Sequence, residues 1–222
     1  MIKLKDVLSE LELEEEYPQS FSFDEFNSIT SFAGKIKYAA GHLKKLAAGS
    51  SRTVFLVDDD KVLKIAKNAK GLAQNNTEAD WGIQQYDIAA KIYKYDEVGV
   101  GGDEDKVFWL EMELAKKLGV KRFQQITGVA LKELDGYLTR FEKSRTGQGS
   151  IWSATISDER YEELHENEFV QDVVRLIGDY DMPVGDFGRM SSYGEVNRNG
   201  TPEVVMIDFG LTRQIHIDYY AR

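Results

Sequence analysis

The chain has 222 residues, 42% hydrophobic, 11% aromatic and 30% charged, with a net charge of −10; this is enough for one domain or for two small lobes sharing a cleft. The acidic balance argues against a broad footprint on nucleic acid or anionic lipid, and no apolar run reaches the roughly 18 residues of a membrane span. With no cysteine there is neither a disulfide framework nor a thiolate zinc site, which agrees with a cytoplasmic protein.

The start, MIKLKDVLSELELEEEYPQS, lacks the apolar core of a signal peptide. Its apolar positions Ile2, Leu4, Val7, Leu8, Leu11 and Leu13 read as an amphipathic helix over 2–16, ended before Pro18. Ser22 is placed to cap a short helix, and Gly34 and Gly41 bracket another short segment. From His42 the pattern turns extended: Leu43–Leu46, Thr53–Val57 and Val62–Ala66 read as an antiparallel meander, with a tight turn at Asp58-Asp59-Asp60-Lys61. A helix over 71–86 follows, then the strands IAAKIYKYDEVG and KVFWLEMELA around the loop VGVGGDEDK. Beyond Lys117 helices are expected over 123–144 and 158–179, separated by the polar loop SRTGQGS. GEVNRNGTPEVVMIDFG reads as two short strands joined at Asn199-Gly200, a pair that tolerates positive φ. The three histidines, His42, His165 and His216, are scattered and form no i, i+4 pair for a metal.

Four stretches hold charged or small residues in a pattern suited to chemistry. LAAGSSRTVF at 46–55 is a turn of small residues, Gly49, Ser50 and Ser51, where backbone N–H groups can approach an anion. In VLKIA strand alternation puts Val62, Lys64 and Ala66 on one face, so Lys64 stands among apolar neighbours. Glu78 falls inside the following helix, where it either turns inward and pairs with Lys64 or faces water; Asp80 projects to another side. Asp-Phe-Gly occurs twice, at 186–188 and at 208–210. Only the second copy follows an apolar run that reads as a buried strand, Val204–Ile207, at whose end a carboxylate can emerge into a cleft.

The order of these pieces resembles the protein kinase-like fold over residues 42–212, and the compactness is similar to that of small kinase-like proteins of phages and bacteria. The resemblance implies an α+β, bilobal molecule. Residues 1–41 would be a helical extension, 42–117 an N-lobe of five antiparallel strands plus one helix, and 118–222 a small, truncated, mainly helical C-lobe. It also implies an ATP-binding, Mg²⁺-dependent phosphotransferase acting on a protein or small-molecule hydroxyl. Gly49, Ser50 and Ser51 would cover phosphates, although Ala47 and Arg52 stand where the family has its first and third glycines. Val54 would roof the adenine, with Val62 beside it. Met112 would be the gatekeeper, and the Glu113 carbonyl and Ala115 N–H the adenine partners. Lys64, held by Glu78, would position phosphates. Asp208 would carry metal and Asp186 would serve the acceptor, with Asp181 as its rival, leaving the upstream Phe187-Gly188 without a role.

Two departures bear on this expectation. The metal-binding asparagine of the family's catalytic loop is replaced by Ser191 and Ser192, with Asn197 or Asn199 able to substitute only in a differently folded hairpin. Fourteen residues follow Asp208, too few for the family's activation segment and peptide-seating helices, so the acceptor is expected to be recognised in another way. The missing asparagine keeps a pseudokinase acting as a protein-binding module open as an alternative, as is AMP transfer by the same fold.

Overall fold

The structure, a computed structural model, describes residues 17–18, 20–96, 106–147 and 156–221. The helix expected over 2–16, nearly all of the loop VGVGGDEDK and the end of the loop SRTGQGS lie outside them.

Two short helices come first, α1 (Phe23–Ser28) and α2 (Phe32–His42). Ser22 and Ser31 cap them by accepting the N–H groups of Glu25 (3.3 Å) and Gly34 (3.1 Å). Gly34 and Gly41 lie inside α2 rather than bracketing a segment. Then follow β1 (Lys44–Ala48), β2 (Arg52–Leu56), β3 (Lys61–Ala66), α3 (Ala69–Glu78), β4 (Ile92–Tyr95) and β5 (Trp109–Glu113). The strands form one antiparallel sheet in the order β1-β2-β3-β5-β4. The turn between β2 and β3 is held by the Asp58 carboxylate, which accepts the N–H of Asp60 at 2.7 Å.

The helical part begins after β6 (Lys116–Lys117) with α4 (Val120–Thr127), α5 (Leu131–Thr146), α6 (Asp158–His165) and α7 (Glu168–Asp179). The chain closes with the hairpin β7 (Tyr193–Arg198) and β8 (Thr201–Met206) and with α8 (Arg213–Tyr219). β6, β7 and β8 make a second, three-stranded sheet. Asn199 and Gly200 turn the hairpin with φ of 55° and 81°, the left-handed values the sequence anticipated.

Three expected elements are shorter than the sequence suggested. The helix over 71–86 stops at Glu78, because the Asp80 carboxylate takes the N–H groups of Gly82 (2.9 Å) and Ile83 (3.3 Å) that a helix would give to carbonyls. The helix over 123–144 is two, broken at Gly128 with φ of 74°. The helix over 158–179 is also two, since the Asn167 side chain caps the second through the N–H of Val170 (3.1 Å). Ile88–Ala90, expected within a strand, instead bonds to β8: Ala90 N–H donates to Met206 O (3.0 Å) and Met206 N–H to Ile88 O (2.6 Å).

Each face of the five-stranded sheet has its own core. Phe55, Leu63, Ile65 and Trp109 face outward and are covered by Phe21, Phe26 and Ala39 of the N-terminal segment. Val62, Leu110 and Met112 face the helical part and join a core with Phe123, Leu134, Ile177, Phe187, Val205 and Phe209. Burial of this apolar surface supplies most of the drive to fold. Lys35 of α2 is buried in the outer layer, its Nζ donating to Phe26 O (2.9 Å) and lying 4.6 Å from the Phe26 ring. Desolvation pushes its pKa down, against the pull of Asp96.

Candidate functional site

Strand register decides what faces the helical part. Val54 pairs with Lys64, Val62 with Met112 and Arg52 with Ala66. Cross-strand partners share a face, so Arg52, Val54, Val62, Lys64 and Met112 all point the same way. Glu78, the last residue of α3, comes down beside them. Lys64 and Glu78 are 4% and 0% exposed, so neither charge survives there without a partner.

The partners form a compact network. Glu78 Oε2 accepts from Lys64 Nζ at 2.6 Å, and its Oε1 accepts from Arg52 Nη1 at 2.6 Å and from the Phe209 N–H at 3.3 Å. Lys64 Nζ also donates to the Ile207 carbonyl at 3.0 Å, one residue before Asp208. The second Arg52 nitrogen, Nη2, donates to Asp208 Oδ1. One guanidinium thus joins the carboxylate of α3 to the carboxylate at the end of β8. Gly210 lets this end of the chain close on α3: a Cβ there would stand 2.4 Å from the Gln74 carbonyl oxygen.

Three of these charges are shifted by their surroundings. Burial and the neighbouring guanidinium push the Lys64 ammonium below its ordinary range, against Glu78 and Asp208. Burial also opposes the Arg52 charge, but Glu78 and Asp208 outweigh it and raise the Arg52 pKa. At Asp208 desolvation favours the acid, yet Arg52 and Lys64 win and hold the carboxyl below the usual carboxylate value. The Asp208 side chain is nevertheless 60% exposed, so a ligand arriving from solvent can reach it.

The remaining expected site residues fall into three groups. In the turn before β2 the carbonyls are tied down: Lys67 Nζ donates to Gly49 O (2.8 Å), Asn68 Nδ2 to Ser50 O (3.0 Å) and the Lys67 N–H to Ser51 O (2.7 Å). The Ser51 hydroxyl donates to Gln74 Oε1 at 2.7 Å, so it binds α3. Around the end of β5, Met112 is buried in the core and the Glu113 N–H donates to Lys91 O at 2.8 Å. The Glu113 carboxylate accepts from Arg198 Nη2 (2.7 Å), which binds the sheet to β7, and Ala115 packs on Gly194.

The third group surrounds the first Asp-Phe-Gly. Asp186 ends a short 3₁₀ turn, Val184–Asp186, and faces Arg189 Nη1 at 3.2 Å. The buried Ser192 connects the two copies: its hydroxyl donates to Asp186 O (2.7 Å), and its carbonyl accepts the Ile207 N–H (2.9 Å). Phe187 is part of the core and its carbonyl accepts the Tyr193 hydroxyl at 2.8 Å, so the upstream Phe-Gly is a packing anchor rather than an idle repeat. Asp181 has φ of 45° and is held by Arg145 (2.8 Å) and Arg213 (3.2 Å). Those hydrogen bonds, led by Arg145, outweigh desolvation and keep its carboxyl below the usual range.

Among the described residues no group of three or more His, Cys, Asp or Glu side chains is close enough to hold a metal. Ser191 is exposed and the Ser192 hydrogen is committed to Asp186. Among the expected ligands Asp208 offers one carboxylate that solvent reaches. It suits a Mg²⁺ ion that brings phosphate oxygens with it, and does not suit an ion held by protein alone.

The sequence gives Arg52 no partner, only the place of a missing glycine. Parity is the available signal, since in β2 Arg52 must share the face of Val54.

No protein-family model matches the chain, and no curated protein does. Solved structures similar to it include a mutant aminoglycoside 2'-phosphotransferase-IIIa in complex with GDP, at 17% identity and a TM-score of 0.37, covering 76% of this chain and 65% of that one. SAICAR synthase from Saccharomyces cerevisiae complexed with SAICAR follows at 13% and 0.35, covering 74% and 72%. The streptomycin–ATP–APH(2")-IIa ternary complex follows at 12% and 0.33, covering 95% and 72%. The chain thus spans less than two thirds of the first of these. Likeness at these scores carries no argument about activity. This chain's own topology has the element order expected from the sequence: a β1-β2-β3-β5-β4 antiparallel sheet with a helix between β3 and β4, then a helical region followed by a hairpin.

Proposed function

We propose that the protein binds ATP with Mg²⁺ and transfers a phosphoryl group to a hydroxyl of a protein or small molecule. The observation that carries this reading is the convergence of Lys64, Glu78 and the start of the second Asp-Phe-Gly, brought together from three separate segments. A buried lysine fixed by a buried glutamate beside a solvent-reachable aspartate is an arrangement for holding phosphates and their counter-ion.

Lys64 would neutralise the bridging phosphates, with Glu78 fixing the direction of its Nζ. Val54, Val62 and Met112 supply an apolar wall on the same face for a base, with Glu113 and Ala115 at its edge. Gly49 and Ser50 would lie over the phosphates, while the Ser51 hydroxyl, bound to Gln74, contributes packing. Asp208 would hold the cation, whose chemistry is to neutralise charge on the transferring phosphate. Asp186, half-exposed and facing one arginine, Arg189, is better placed than Asp181 to orient an acceptor hydroxyl, since Asp181 is held by two.

Melting with and without Mg²⁺ and ATP tests the reading. Ligand at about 100 times its Kd adds roughly 2.7 kcal/mol to a folded state that alone binds it, which for a chain of this size is a rise of roughly 5–10 °C. No rise at millimolar ATP would overturn it and leave a non-catalytic module, which the Arg52–Asp208 contact favours. γ-labelled and then α-labelled ATP separates phosphoryl from AMP transfer, and label persisting in Asp186→Ala would remove that residue from the acceptor role.

A further inference from the structure

The proposed phosphate site holds two buried cations, Arg52 and Lys64, against two carboxylates, Glu78 and Asp208. The four charges balance. Arg52 is the member that distinguishes the cluster, because its guanidinium spans both carboxylates and its side chain is only 7% exposed. A divalent cation on Asp208 would meet this guanidinium, and Lys64 Nζ is also close, bound to the carbonyl of the preceding residue. Arg52, Lys64 and Glu78 are shielded from solvent while Asp208 is not, so a metal added alone at Asp208 would face two poorly screened positive charges. A polyphosphate carries the compensating negative charge.

We propose, on the nucleotide reading above, that Arg52 is a built-in competitor for the cation site at Asp208 and makes cation binding conditional on a polyphosphate. Glu78 keeps hold of Nη1, so releasing Asp208 requires only that Nη2 give up its partner and turn toward phosphate oxygens, which suit the guanidinium fork. Arg52 is thus a positioning residue at the point where two ligands meet. It couples their affinities, and that coupling is reciprocal.

The test is Mn²⁺ binding to the full chain, read by the electron paramagnetic resonance of the free ion, with and without a β,γ-imido analogue of ATP. The wild-type protein is expected to bind Mn²⁺ alone at least about tenfold more weakly than with the analogue, and Arg52→Met to gain at least about tenfold for Mn²⁺ alone. Arg52→Lys should fall between them, and Asp208→Asn should abolish binding in either background. Unchanged or weaker Mn²⁺ binding by folded Arg52→Met would overturn the proposal, since a purely structural Arg52 predicts that result.

If Arg52→Met does not fold, nuclear magnetic resonance of arginine-labelled wild-type protein decides. The Arg52 side-chain signal, assigned by its loss in Arg52→Lys, must shift on adding Mg²⁺ with the analogue; an unmoved signal overturns the proposal. Melting with the analogue and Mg²⁺ separates the two failures. Absence of any analogue effect sinks the nucleotide reading, while Mn²⁺ binding alone still decides whether Arg52 competes at Asp208.

Discussion

Glu78 is the residue on which the site turns. It is fully buried and neutralises two cations, so Glu78→Gln leaves Lys64 and Arg52 with one carboxylate between them, at the exposed Asp208. Breaking a buried pair in this way costs about 3–5 kcal/mol, and urea unfolding is expected to register a loss of that order. The Asp208 carboxyl gives a pH signature. Desolvation raises its pKa, Arg52 and Lys64 lower it further, and the folded value lies below the unfolded one. Its contribution is therefore complete above the unfolded pKa of about 4 and is lost as pH falls through the folded value. Asp208→Asn should differ from wild type by a constant amount at neutral pH, with the gap closing in acid. Asp181, Glu133 and Glu195 are held low too, so an acid decline persists in the variant but is shallower. Lys64 and Asp208 could be singled out because each interrupts or ends an apolar strand, and Glu78 from its place in the helix expected after Lys64. Arg52 has no such mark: it opens β2 after two serines, and only its reach across to Asp208 reveals a partner.

At the scale of elements, the contact of the β1–β2 turn with α3 is set by Gly71, where a Cβ would stand 2.2 Å from the Ser51 carbonyl oxygen. The clash is with backbone, which cannot turn aside. Gly71→Ala is expected to cost about 1–3 kcal/mol in chemical denaturation and to loosen Ser51 from Gln74. Local rules made the β2–β3 turn and the Asn199-Gly200 hairpin readable, since both depend on side chains or φ values within four residues. The helices read too long for the converse reason. Asp80 and Asn167 end or restart helices by supplying one side-chain hydrogen-bond partner, a choice that apolar periodicity does not display.

At the scale of the molecule, Arg198 joins the two sheets. It donates to both Glu113 oxygens (3.3 and 2.7 Å) and to the carbonyls of Asp87 (2.6 Å) and Ala89 (3.0 Å), with its side chain only 9% exposed. Arg198→Met leaves Glu113 buried without its cation and should lower stability by about 3 kcal/mol, seen as an earlier urea midpoint. Among the described residues no helix is long and apolar enough to cross a membrane, in line with the absence of an apolar run in the sequence. By itself the sequence determined the antiparallel meander, the position of the hairpin, a lysine on the β3 face of Val62 and Ala66, and a carboxylate at the end of a buried strand. Those follow from alternation and turn chemistry, which act over a few residues. Only the tertiary structure decided that Ser192 links the two Asp-Phe-Gly segments, that two helices cover the outer sheet face, and that Arg52 bridges Glu78 and Asp208. These depend on register and on packing between distant segments, and a buried charge takes its partner from whatever the fold brings near.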